Sequence, residues 1–125
     1  MSFNRYRKMD SYKEFFLLPN DIFNLDLTPG EIAVYAFLIR CENRQSFQCY
    51  PSYKTISKSV GMSIKTVQRY VRMLEDKRLI STEPTQIMMK SFIKKNGSLK
   101  YTIHPFQEAV EYYTQRQIEE NMRRK

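Results

Sequence analysis

Lys65, Gln68, Arg69 and Arg72 are four polar side chains with spare hydrogen-bonding capacity, spaced i, i+3, i+4 and i+7. On a helix they share one side, opposite Val67, Val71 and Leu74. Arg offers paired donors that match guanine, and a Gln amide matches adenine, when such a helix lies in a DNA major groove. Ser63 and Thr66 stand at the amino end of the same stretch, where hydroxyls and backbone amides suit a phosphate. Just upstream, Tyr53, Lys54 and Lys58 would sit on a preceding helix that crosses the phosphate backbone, with partial burial the alternative for Tyr53. Lys94, Lys95 and Lys100 flank Asn96-Gly97 and could reach a neighbouring groove or backbone. For each cation taken alone, the plain alternative is a solvated surface charge.

The charge distribution weighs against that alternative. The chain has 125 residues and a net charge of +8. Residues 1–53 carry six basic and six acidic side chains, and residues 101–125 carry four of each. Residues 54–100 carry eleven Lys or Arg against three Asp or Glu, so the whole excess lies in one segment. Such a surplus suits a polyanion, because phosphate contacts release condensed counterions.

Other chemistries find little support. Cys41 and Cys49 are eight positions apart, and His104 is the sole histidine, so no zinc cluster is expected. Neither paired carboxylates in a credible pocket nor a phosphate loop or nucleophile–base pair suggests an enzyme. No cofactor is implied. The polar start MSFNRYRKMDSYKE lacks a signal-peptide core, and the apolar run Ile32–Ile39 is too short for a membrane span. The expectation is a soluble cytoplasmic protein.

The positioning elements can be read in order. Residues 1–14 are expected to be a flexible arm, and Phe15–Pro19 an extended segment packed on the core. Asn20–Leu25 reads as a helical turn with Ile22, Phe23 and Leu25 inward. Thr28-Pro29-Gly30-Glu31 is a capping box with Pro at the first helical position, predicting a central helix from Pro29 to about Cys41. A turn at residues 43–46 and a short strand at Phe47–Tyr50 follow. Ser52 caps a second helix, Tyr53–Val60, that Gly61 ends, and Ser63 caps a third that runs to about Lys77. Leu79–Glu83 starts a strand that Pro84 interrupts, and residues 85–93 are again strand-like. Asn96-Gly97 signals a hairpin, and Leu99, Tyr101 and Ile103 alternate inward on the return strand. Pro105 opens a last helix to about Met122, with Phe106, Val110 and Tyr113 at helical spacing.

Within this order, YKTISKSVGMSIKTVQRYVR meets the demands of a helix-turn-helix unit. It has a small residue, Ser57, where two steeply crossed helices touch, and a turn glycine, Gly61, four residues on. Ile56, Val60, Met62, Val67 and Tyr70 face inward. The expected fold is α+β: a winged helix-turn-helix with a three-helix core, a β-hairpin wing and an extra C-terminal helix. Residues 15–104 would form that domain and residues 105–125 a helix available for dimerisation through Tyr112, Tyr113, Ile118 and Met122.

The run FFLLPNDIF…LTPGEIAVYAFL…CYPSYKTISKSVGMSIKTVQRYVRMLEDKRLI resembles small helix-turn-helix proteins of Gram-positive bacteria and their mobile elements. It is also similar to the N-terminal winged-helix domain of RepA-type plasmid replication initiators. Leu18-Pro19-Asn20, Pro51-Ser52-Tyr53 and Val67–Ile80 carry the resemblance most specifically. Such relatives usually have glycine just before the Leu79-Ile80 pair, where this chain has Arg78. The resemblance implies double-stranded DNA as partner, with residues 63–72 making the contacts.

Three functions follow as expectations. The first is a sequence-specific transcriptional regulator, working as a homodimer because one unit covers a single half-site. The second is the DNA-binding module of a plasmid or mobile-element replication initiator. No initiator or effector domain fits within 125 residues, which tilts the reading toward the regulator. The third is a winged-helix protein-interaction module without DNA affinity.

Overall fold

The computed structural model describes residues 15–85 and 99–123. A single 3₁₀ turn, Asn20–Asn24, leads into α1 (Pro29–Cys41), β1 (Gln48–Cys49), α2 (Tyr53–Val60) and α3 (Ile64–Asp76). Strands β2 (Ile80–Pro84) and β3 (Leu99–Ile103) and the long helix α4 (Phe106–Arg123) complete the order. The sheet is antiparallel with strand order β1-β3-β2. The three helices and this sheet make the α+β winged helix-turn-helix. The connection between β2 and β3, with Asn96-Gly97, Lys94 and Lys95, lies outside the described residues.

Helices α1, α2 and α3 begin where their capping residues dictate. Thr28 Oγ1 accepts from the Glu31 amide at 3.2 Å, and the Thr28 amide donates to Glu31 Oε1 at 2.8 Å, closing the expected capping box. Ser52 and Ser63 accept from the amides of Thr55 and Thr66 in the same way. Gly61 ends α2 at φ +72°, in the left-handed region where a Cβ is penalised. Its amide and that of Met62 both donate to the Ser57 carbonyl, while the Ser57 hydroxyl donates to the Met62 carbonyl. Ser57 therefore holds the helix-turn-helix corner by hydrogen bonds as well as by being small.

The core lies between α1, α3 and the sheet. Val34, Tyr35 and Leu38 of α1 meet Ile56 of α2, Val67, Val71 and Leu74 of α3, and Tyr101 of β3, all buried. Ala109 anchors α4, with Phe106, Val110 and Tyr113 packed partly against the core. Two inward assignments from sequence need correction. Phe23 is 74% exposed, because the tight 3₁₀ turn buries Ile22 and then Leu25 and swings Phe23 and Asn24 between them outward. In the Phe15–Pro19 segment Leu18 packs on the core, but Phe15 and Leu17 are exposed, as alternation along extended chain requires.

Glu31 is fully buried and has a partner that sequence reading did not find. Lys77 Nζ lies 3.1 and 2.9 Å from its two carboxylate oxygens and 3.3 Å from the Asp26 carbonyl. The last residue of the α3 region is thereby tied to the first turn of α1. Tyr70 makes a second tie. A Cβ placed on Gly30 would sit 2.3 Å from Tyr70 Cε2, so α1 offers bare backbone to that ring.

Candidate nucleic-acid interface

Helix α3 carries its polar residues on one side, as the spacing predicted. Lys65, Arg69 and Arg72 are exposed, and Gln68 is half-buried beside Val71. Val67, Val71 and Leu74 fill the opposite side. At about 100° per residue the four polar positions span an arc of about 100°, narrow enough to enter a groove together. The Arg69 guanidinium lies 5.2 Å from the centre of the Tyr70 ring, which in turn rests on Gly30.

The amino ends of α2 and α3 are built alike. Ser52-Tyr53-Lys54-Thr55 and Ser63-Ile64-Lys65-Thr66 each place a serine cap, then lysine, then threonine. In each, the serine hydroxyl donates to the threonine Oγ1, at 3.0 Å in α2 and 2.9 Å in α3. Ser63 is thus occupied within its own cap, whereas the Thr66 hydroxyl keeps its proton for an outside acceptor. Neither helix has an acidic residue in its first turn. A lysine there opposes the helix dipole at a cost of about 0.3–1 kcal/mol, which a bound anion would reverse. This repeated tetrapeptide was visible in the sequence, but its meaning depends on both serines being caps.

Lys54 and Lys58 are exposed on α2, and Tyr53 is half-buried. Burial pushes the Tyr53 phenol up, Glu75 adds to that and Arg72 opposes it, so the hydroxyl keeps its proton and remains a donor. The structure sorts the basic segment into two groups. Lys77 is consumed by Glu31, Lys100 by Glu83 across the β2–β3 pair, and Arg78 lies over the Tyr112 ring at 4.9 Å. Lys54, Lys58, Lys65, Arg69 and Arg72 form no ion pair among the described residues. All five are on α2 or α3. Lys100 therefore differs from the free wing cation read from sequence, because its cross-strand partner neutralises it.

Among the described residues, no group of three or more His, Cys, Asp or Glu could hold a metal ion. Cys41 and Cys49 are free thiols whose pKa burial pushes up, Cys49 to about 12. No described helix is long and apolar enough to cross a membrane.

Residues 25–80, from the end of the 3₁₀ turn to the start of β2, match the family model of a helix-turn-helix domain. That match supports DNA as the partner of this winged helix-turn-helix protein. A solved structure described as a possible transcriptional regulator from Methanosarcina mazei Go1 has a similar fold, with a TM-score of 0.53 and 18% identity. The likeness covers 80% of this chain and 78% of that one. No curated relative matches the chain.

Proposed function

We propose that this protein is a sequence-specific double-stranded-DNA-binding transcriptional regulator that lays α3 in the major groove. The observation that carries the reading is that, among the described cations of residues 54–100, the five that form no ion pair and no contact with Tyr112 all lie on α2 and α3. Lys54, Lys58 and Lys65, with the Thr66 hydroxyl, serve the phosphates. Gln68, Arg69 and Arg72 face base edges, and Tyr53 donates to the backbone from its half-buried position. The helix-turn-helix match and the description of the archaeal neighbour support the same reading.

A homodimer would set two such helices in successive grooves. Ile118 and Met122, one turn apart on α4 and 47% and 70% exposed, are the proposed contact. Tyr113 is withdrawn from it by its hydrogen bond to Asp26, and Tyr112 is engaged by Arg78.

Selection from a random duplex library at two salt concentrations tests the function. The expected result is one enriched motif whose affinity falls with salt, each phosphate-bound cation contributing about 0.9 to the log–log slope. Recovery of repeated origin-like arrays would favour a replication initiator over a regulator. Absence of enrichment, with Lys65→Ala and Arg69→Ala indistinguishable from the parent, would overturn both.

A further inference from the structure

A cleft of about 190 Å³ lies between α4 and the end of the 3₁₀ turn. The Tyr112 and Tyr113 rings line it, with Leu25 and Ala109 buried beneath. Charges of both signs also line it: Asp26 and Glu120, and the guanidinium of Arg116. An engineered apolar cavity of about 150 Å³ takes one benzene, so this space suits one ring and a few further atoms.

The hydrogen-bonding groups around the cleft differ in how far they are committed. Lys77 also lines it, but uses its three donors on Glu31 and the Asp26 carbonyl. Asp26 Oδ2 accepts from the Tyr113 hydroxyl at 3.0 Å, leaving the other carboxylate oxygen. Arg116 spends one N–H on a long 3.5 Å contact to Tyr112. Its remaining fork is the shape that a carboxylate fits with two parallel hydrogen bonds. Acceptors, a donor fork and two aromatic rings together describe a receptor for a zwitterion bearing one ring.

We propose that this cleft binds a free aromatic α-amino acid. The carboxylate sits on Arg116, the ammonium between Asp26 and Glu120, and the ring against the Tyr112 and Tyr113 side chains. The site touches the DNA-reading helix through Lys77, the residue that caps α3 and bonds to Asp26. Asp26 holds φ +57°, a left-handed conformation that a short polar side chain tolerates. Coupling to DNA rests on the function proposed above, whereas amino-acid binding does not.

Isothermal titration of the full chain without DNA separates the two. L-Phenylalanine is the probe, and phenylacetate and 2-phenylethylamine each lack one charge. The expected result is saturable one-to-one binding of phenylalanine, with each fragment at least about tenfold weaker. Arg116→Ala should weaken phenylalanine binding by about tenfold or more while far-UV circular dichroism stays unchanged, since the side chain is exposed. Glu120→Gln should weaken phenylalanine and 2-phenylethylamine alike and leave phenylacetate unaffected. No saturation up to about 10 mM, a fragment binding as well as phenylalanine, or an unaltered affinity in Arg116→Ala would each overturn the proposal. Binding that leaves DNA affinity unchanged would refute the coupling and leave the site standing.

Discussion

Arg78 occupies a backbone conformation that its side chain disfavours, and exchanging it gives a sharp energetic test. It follows α3 at φ +68°. Its amide donates to the Glu75 carbonyl at 3.1 Å, and the Leu79 amide donates to Leu74 at 3.0 Å. Those two bonds are the Schellman pattern, in which the left-handed residue is ordinarily glycine. An L-residue there loses about 1–2 kcal/mol to the clash of its Cβ with the following carbonyl. Arg78 recovers part of this by placing its guanidinium over the Tyr112 ring, worth about 0.5–1 kcal/mol at an exposed site. Arg78→Ala forfeits the ring contact and keeps the strain, so it should destabilise by about 0.5–1 kcal/mol. Arg78→Gly forfeits the same contact but releases the strain, and should exceed the alanine variant by about 1–2 kcal/mol.

Urea unfolding followed by circular dichroism, with equal m-values, measures that difference. Thermal midpoints should separate by about 4 °C for each kcal/mol in a chain of 125 residues. Because both variants lack the guanidinium, the comparison isolates the backbone. Gly61→Ala is the reverse exchange at φ +72°, with no atom within 4 Å of the added Cβ. It should lose a similar 1–2 kcal/mol, roughly, by the same cause. An alanine variant at position 78 as stable as the glycine variant would refute the reasoning.

Lys77→Met leaves the buried Glu31 carboxylate without its cation and should cost about 3–5 kcal/mol, with Lys77→Met/Glu31→Gln clearly less damaged in the same urea assay. Alkali should unfold the protein through neutral groups held in the core. Burial raises Tyr35 from 10.0 and Cys49 from 9.0, each to about 12, and raises Tyr101 as well. The unfolded chain releases these protons first, so stability is full below about pH 9 and falls as pH rises toward 12. Tyr35 alone removes about 3 kcal/mol over that window, readable from urea midpoints at stepped pH. Lys100→Ala should leave the salt slope of DNA binding unchanged because Glu83 already neutralises it, whereas Lys54→Ala/Lys58→Ala should lower the slope by about 1.8 in a fluorescence anisotropy titration.

Features settled within one turn of chain were legible in the sequence. The caps at Thr28, Ser52 and Ser63, the glycine stop at Gly61 and the two-sided character of α3 depend on neighbours three or four residues apart, where periodicity and side-chain chemistry act directly. The polar side of the candidate interface was legible for the same reason. Phe23 misled because it is apolar on a turn too short to have a periodic face.

What depended on distant partners was decided by the tertiary structure. Glu31 and Lys77 are 46 residues apart, and Tyr113 and Asp26 are 87 apart. No local pattern distinguishes a buried, paired lysine from a free one. The sequence by itself determined that an excess of positive charge falls within residues 54–100 and that a helix there presents Lys65, Gln68, Arg69 and Arg72 together. Only the packing of α1 on α3, the pairing of β2 with β3 and the seating of α4 decided which cations are spent inside the protein. Electrostatic neutralisation acts over a few ångströms of space rather than along the chain, and folding alone sets those distances.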